Sequence, residues 1–233
     1  MKDMTKLNTF EQFMYYFQEN GMYVLTQFMT HFLISVYGVL LAALFGIPIG
    51  ILIAKYKKLA SPLITIANII QTIPALALLA ILMLGMGLGK TTVIVAVFLY
   101  SLLPIIKNTY TGITTIDNNL IDSGKGMGMT RLQVLYMIEL PLSLKVIIAG
   151  IRIALVIAIG ITAIGAFIGA GGLGDIIIRG TNATDGTAII LAGAIPTAFM
   201  AIIVDVLLSV VERRMDPMRR RKGDQLKVQS LQE

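Results

Sequence analysis

Few side chains in this chain could carry out catalysis or bind a metal, and they lie far apart. The chain has one histidine, His31, and no cysteine, so a thiolate metal site, a cysteine nucleophile and a disulfide are excluded. His31, Ser35 and Asp205 have the residue types of a catalytic triad. The helices predicted below separate His31 from Asp205 by a distance on the order of 20 Å, because each helical residue rises only about 1.5 Å. We therefore predict no catalytic residue, no metal site and no enzymatic activity.

Two glycine-rich segments resemble nucleotide-binding loops in their letters but not in their context. Residues 169–174 match the dinucleotide fingerprint G-x-G-x-x-G, yet no strand precedes them and no acidic residue follows in a βαβ unit. Residues 85–91 resemble a phosphate loop, but the glycine spacing is one residue short and apolar runs flank it. Both segments are predicted to be turns between helices. We expect this chain to hold no cofactor.

Long apolar runs are the elements that must position any functional residue. Hydrophobic residues make up 56% of the 233 positions and charged residues only 14%, whereas a soluble domain usually carries about 25% charge. Roughly 20 apolar residues form a helix that crosses a bilayer. The runs lack the period-2 alternation of barrel strands. We predict an all-α membrane protein with five transmembrane helices, at about Leu25–Ala54, Leu63–Leu84, Thr91–Ile106, Val146–Ile168 and Thr187–Val211.

The distribution of positive charge predicts the orientation of these spans. Basic residues cluster after the first, third and fifth runs, which indicates that these ends face the cytoplasm. The N-terminus is then outside and the C-terminus inside. Residues 1–24 are predicted to be an external segment with an amphipathic helix that ends at Asn20-Gly21, residues 25–215 the transmembrane domain, and residues 216–233 a basic and polar disordered tail. The basic tail favours anionic lipid over nucleic acid as its neighbour.

Three residues within the spans are unusual for a lipid environment. Gln71 and Pro74 lie in the second span, where proline frees a carbonyl and bends the helix. Asp205 lies in the fifth span, where an acid is costly. Each of the three is predicted to lie at the translocation pathway or at a helix interface. For Asp205, a proton or ion site and an ion pair with a basic partner both remain open.

A polar, glycine-rich segment interrupts the apolar chain at about residues 107–145. Asp117 is predicted to cap a first short helix and Thr130 a second, which ends at Pro141. Glycines at 124, 126 and 128 favour a tight turn between them. This segment is predicted to face the cytoplasm.

The same segment is similar to the cytoplasmic loop signature of bacterial ABC importer permeases. The matching pattern is Asp122-Ser123-Gly124-x-x-x-Gly128-x(9)-Ile138-x-Leu140-Pro141, in which Asp-Ser-Gly replaces the family's usual Glu-Ala-Ala. The segment at 71–79, QTIPALALL, resembles the second span of osmoprotectant importer permeases, which serve glycine betaine, carnitine or choline. The resemblance extends over about residues 20–215.

This resemblance implies a fold, partners and a set of coupling residues. The fold would be the type I ABC importer (MetI-like) transmembrane domain, in a bacterial cell membrane. The implied partners are a second permease subunit, identical or related, two copies of a cytosolic ATPase that binds ATP and Mg, and an external substrate-binding protein; in part of the family the ATPase carries a regulatory module. The residues expected to couple to the ATPase are Asp122, Ser123, Gly124, Met127, Gly128, Met129, Leu140 and Pro141.

Three other functions stay open at this point. An ion-coupled secondary carrier would use Asp205 and need no ATPase. A permease of an ABC importer could carry another small solute, such as an amino acid. A non-transporting membrane scaffold could recruit a soluble enzyme through the 118–141 loop.

Overall fold

The structure is a computed structural model that describes residues 8–215, and this part of the chain is helical with no strand. The predicted tail at 216–233 lies outside the described residues. The elements, in chain order, are α1 (Thr9–Lys55), a 3₁₀ turn (Lys57–Leu59), α2 (Ala60–Thr72), α3 (Ala75–Met86), α4 (Lys90–Thr114), α5 (Asn118–Gly126), α6 (Arg131–Val134), a π turn (Leu135–Glu139), α7 (Leu140–Ile164), a second 3₁₀ turn (Gly165–Ile168), α8 (Leu173–Thr181) and α9 (Thr187–Arg214).

Helix α1 begins at a capping box and bends at Asn20. Asn8 Oδ1 accepts a hydrogen bond from the Phe10 N–H at 2.9 Å, and Glu11 Oε2 accepts one from the Asn8 N–H at 3.0 Å. Asn20 has non-helical dihedral angles (φ −118°, ψ 16°). The predicted end of the amphipathic helix at Asn20-Gly21 is therefore a kink within one longer helix. The apolar residues before and after the kink pack on the same cluster, which keeps the helix continuous.

The predicted second span is two helices rather than one. Ile73 and Pro74 are extended (ψ 127° and 137°), as expected for a proline and the residue before it. The resulting bend between the helical segments 57–72 and 75–86 is 96°. The bend predicted at Pro74 is thus confirmed. In residues 8–215, four helical segments are long and apolar enough to cross a membrane, and the bent pair makes a fifth if it is one span.

Helix α4 lies at the centre of the fold, between α1 and α7. Small residues make this packing close: Ala42 of α1, Ala96 of α4 and Ala154 of α7 are all fully buried. Gly50 of α1 lies so near α4 that an added Cβ would come within 2.5 Å of Thr109 Cβ. Small residues in α1 thus allow a close approach to α4.

The outward faces of the long helices are apolar. Leu84 of α3 is 85% exposed, and Phe199, Ile202 and Leu207 of α9 are also exposed. An exposed apolar surface on several long helices is what lipid requires and what water disfavours. The predicted all-α membrane architecture is confirmed, while the orientation of the spans remains a prediction.

The chain passes from α6 into α7 without a break, so the predicted helix end at Pro141 is wrong. The Leu140 N–H donates to the Leu135 carbonyl, five residues back, in the π turn. Pro141 then lies directly after the π turn, at the second residue of α7, where the continuous helix accommodates a residue that has no N–H. The helical segment therefore extends from Arg131 to Ile168.

Candidate functional site

The predicted coupling residues form a compact helical hairpin between α4 and α7. Asp117 Oδ1 accepts from the Asn119 N–H at 2.9 Å and caps α5, as predicted. The Thr130 side chain and Gln133 form a capping box on α6, which confirms Thr130 as the second cap. Between the two helices, Gly128 has a left-handed backbone (φ +84°) that disfavours other residues.

The hairpin is held together by the close approach of Gly124 to the π turn. Gly124 is buried, and an added Cβ would lie 2.6 Å from Ile138 Cδ1 and 3.1 Å from Met129 Sδ. The Met129 N–H also donates to the Gly124 carbonyl at 3.1 Å. Gly124 therefore joins the first coupling helix to the segment that leads to Leu140 and Pro141.

The outer surface of the hairpin is apolar at several positions. Met127 is 76% exposed. Four further apolar side chains on these short elements are exposed: Leu120, Leu132, Tyr136 and Met137. Asp122 and Ser123 are exposed too, and Asp122 pairs with Lys125 at 3.0 Å. We call the five exposed apolar residues Leu120, Met127, Leu132, Tyr136 and Met137 the apolar knob. These residues lie outside the predicted spans.

An ion pair that the sequence analysis missed ties the hairpin to the first span. Lys55 Nζ, at the end of α1, lies 2.7 Å from Glu139 Oε1 and 2.5 Å from Oε2. The Glu139 side chain is only 5% exposed. A single acid between the apolar residues Ile138 and Leu140 was the available signal, but its partner is 84 residues away in the chain.

Gln71, three residues before Pro74, meets α4 at a point where a proline removes one backbone hydrogen bond of that helix. Pro104, inside α4, cannot donate to the carbonyl of Tyr100, four residues earlier. Gln71 Nε2 donates to this Tyr100 carbonyl at 3.2 Å. In return, the Tyr100 hydroxyl donates to the Ile73 carbonyl at the break before Pro74. The predicted helix interface at Gln71 is therefore present.

An open cavity of about 320 Å³ lies beside this interface, and Gln71 is one of its lining residues. Its walls come from α2, α4 and α7, and the other lining residues are Leu103, Pro104, Lys107, Asn108, Thr111, Ile153 and Ile157. Lys107 belongs to this wall because α4 continues to Thr114. Asp205 is not among the lining residues.

Asp205 pairs with a basic residue on a neighbouring helix. Arg152 Nε of α7 lies 3.5 Å from Asp205 Oδ1, and Arg152 Nη1 lies 3.3 Å from Glu212 Oε2. Both acids are on α9, so one arginine joins α7 to α9 at two points. This geometry matches the ion-pair alternative for Asp205.

A second feature missed by the sequence analysis is a polar ladder on α1. Tyr23, Gln27, His31 and Ser35 recur every four residues and so lie on one helix face. The hydroxyl of Tyr23 donates to Asp175 Oδ2 at 2.5 Å, and Gln27 Oε1 accepts from the Gly172 N–H at 2.7 Å. The ladder thus ties α1 to the segment around α8.

His31 and Ser35, the last two residues of the ladder, are fully buried. His31 Nδ1 accepts from the Leu173 N–H at 3.2 Å, which leaves Nε2 to donate to the Ile159 carbonyl at 2.9 Å. Ser35 Oγ lies 2.9 Å from Thr162 Oγ1. His31 is therefore packed, and both of its ring nitrogens bond to the backbone. The spacing of four residues was the signal in the sequence.

Comparison with known proteins places this architecture among transport proteins. The chain is 65% identical, over 90% of its length and 91% of the relative's, to the "Glycine betaine/carnitine/choline transport system permease protein OpuCD" of Bacillus subtilis (strain 168). It is 43% identical to OpuCB, a permease protein of the same named system and organism, over 88% of this chain and 94% of that one.

The solved structures agree with the fold. The MetNI methionine ABC transporter, in an inward-facing crystal form, has a chain that matches with a TM-score of 0.76 at 21% identity, over 84% of this chain and 98% of that chain. At this identity the match shows the fold alone. The sequence model described as "Binding-protein-dependent transport system inner membrane component" matches residues 46–217. The chain therefore belongs to the family of inner-membrane components of binding-protein-dependent transport systems.

Proposed function

We propose that the chain is one of two permease subunits of an ATP-driven importer for quaternary-ammonium osmoprotectants. Two cytosolic ATPases bind ATP and Mg and act on the 118–141 loop, and an external binding protein delivers the substrate. The substrate class rests on the relatives, whose names specify glycine betaine, carnitine and choline. The identity of 65% with OpuCD against 43% with OpuCB of the same system favours a related, non-identical second permease.

The apolar knob is the single observation that carries the coupling role. Exposed apolar side chains outside a membrane span cost free energy in water unless a protein covers them. The flexible thioether of Met127 adapts to the shape of a partner's cleft. The same loop carries the signature of ABC permeases, so we assign the covering partner as the ATPase.

The connections of the hairpin explain how movement of the knob reaches the spans. Gly124 packs on Ile138, and the π turn that holds Ile138 runs into α7 without a break. Glu139 in the same turn holds Lys55 at the end of α1. A displacement of the hairpin is thus passed to two spans at once, which is the kind of rigid-body motion that opens and closes a pathway.

A substitution at Met127 tests this function. Met127→Glu places a charge at the centre of the proposed interface, where burial of an unpaired charge costs several kcal/mol. We expect the ATPase that copurifies with the tagged chain to fall at least about tenfold, and uptake of glycine betaine to fall with it. The amount of chain in the membrane should not change, because the Met127 side chain is exposed.

Met22 offers a matched control. It is the same residue type, is 77% exposed, and is predicted to lie on the outer side of the membrane. Met22→Glu should leave ATPase copurification at the wild-type level. The proposal fails if Met127→Glu retains both the ATPase and normal uptake, or if both variants lose the ATPase equally.

A further inference from the structure

The cavity beside Gln71 has two chemically different walls. Lys107, Asn108 and Thr111 of α4 contribute an ammonium, an amide and a hydroxyl. Ile153 and Ile157 of α7 contribute branched apolar side chains. A ligand that fits both walls carries an anionic or polar end and an apolar end.

The positive charge of Lys107 has no counter-ion in the part of the chain that the structure describes. Within residues 8–215, no carboxylate lies at ion-pair distance from its ammonium. Two other basic residues on the long helices are paired: Lys55 pairs with Glu139, and Arg152 with Asp205 and Glu212. Lys107 is exposed at this open cavity, so its ammonium can pair with an anion that enters it.

We propose that this cavity is a carboxylate subsite on the pathway and that Lys107 makes the permease itself favour zwitterions over purely cationic substrates. This inference rests on the proposed function. The carboxylate of a trimethylammonium zwitterion, such as glycine betaine or carnitine, pairs with Lys107, while the N-methyl groups lie against Ile153 and Ile157. Choline has the same methyl groups but no carboxylate, so Lys107 repels its charge without a compensating contact.

The test compares two substrates in one transporter. Uptake of labelled glycine betaine and of labelled choline is measured in cells that carry the complete importer and no other uptake system for either. The binding protein is the same in all strains, so a change in the ratio of the two rates reports on the permease alone. We expect Lys107→Gln to lower the ratio of glycine betaine to choline uptake about tenfold, and Lys107→Arg, which keeps the charge, to change it less than twofold.

Lys58 provides the charge control. It is exposed near the inner end of α1 and does not line the cavity, so Lys58→Gln makes the same charge change elsewhere. Its uptake ratio should equal that of the wild type. If the wild type carries no choline, the rate of glycine betaine uptake replaces the ratio, with a tenfold loss expected in Lys107→Gln and less than a twofold loss in Lys107→Arg.

The outcomes separate this inference from the function on which it rests. A wild-type importer that carries none of glycine betaine, carnitine and choline contradicts the proposed function. An importer that carries them, with equal ratios in the wild type and Lys107→Gln, contradicts the subsite alone. Equal losses in the glutamine and arginine variants also overturn it, because they show a dependence on the shape of Lys107 rather than on its charge.

Discussion

The hairpin at residues 118–139 and the segment around α8 at residues 165–181 are both short helical connections between long helices, and both are attached to α1. They differ in what they leave exposed. The hairpin exposes Met127, Leu132 and Tyr136, whereas Leu173 and Ile176 of α8 are fully buried and only Phe167, in the turn before α8, is a large exposed apolar side chain of that segment. The hairpin offers apolar surface to a partner, and α8 uses its apolar side chains to close the fold.

The two connections also differ in the number of polar contacts that attach them to α1. One ion pair, between Lys55 and Glu139, holds the hairpin. The α8 segment is held by hydrogen bonds with Tyr23, Gln27 and His31, in addition to its buried side chains. The comparison indicates that the hairpin is tied to α1 by fewer polar contacts than the α8 segment is.

The largest expected effect comes from adding one methyl group to the closely packed segment. The Cβ of Gly174→Ala would overlap the backbone carbonyl of Ala163, which cannot move without shifting α7. We expect a loss of about 3 kcal/mol or more of stability, seen as a lower thermal transition and less folded protein in the membrane.

Gly126 in the hairpin is the matched position, because an added Cβ meets nothing within 4 Å there. Gly126→Ala should change stability by less than about 1 kcal/mol, in the stabilising direction, because alanine favours helix. Equal stability of Gly174→Ala and Gly126→Ala would contradict the difference in packing between the α8 segment and the hairpin.

An effect of intermediate size is expected when the ion pair between the hairpin and α1 is removed. Glu139→Gln removes a buried charge partner of Lys55, which we expect to cost about 2 kcal/mol, less than a fully buried pair because Lys55 can reach water. ATP hydrolysis by the purified complex should persist while substrate uptake falls several-fold, because the hairpin still binds the ATPase. The exchange of charges in Lys55→Glu with Glu139→Lys should restore part of the uptake. Uptake that follows ATP hydrolysis in every variant would show that the pair is structural only.

The sequence predicted most of what depends on local pattern. The apolar runs located the long helices, Pro74 located the bend, and Asp117 and Thr130 located two helix caps. Contacts between distant residues could not be predicted, because neither Lys55 nor Glu139 shows in its own neighbourhood which residue it meets. Pro141 was misjudged for a related reason: whether a proline ends a helix depends on the hydrogen bonds of the preceding turn, and a π turn has no clear sequence signature.

The smallest effect is expected at the ion pair between Arg152 and Asp205, which joins α7 to α9 and involves neither the hairpin nor the α8 segment. Arg152 joins α7 to Asp205 and Glu212 of α9 and contacts neither the hairpin nor α8. Asp205 is 51% exposed, and Arg152 keeps Glu212 when Asp205 is replaced. Asp205→Asn should therefore cost less than about 1 kcal/mol and leave uptake within twofold of the wild type. An ion-coupled carrier that used Asp205 would instead lose uptake in this variant and depend on an ion gradient. Uptake by Asp205→Asn in cells treated with an ionophore but supplied with ATP decides between the two, since only coupling through the hairpin survives both changes.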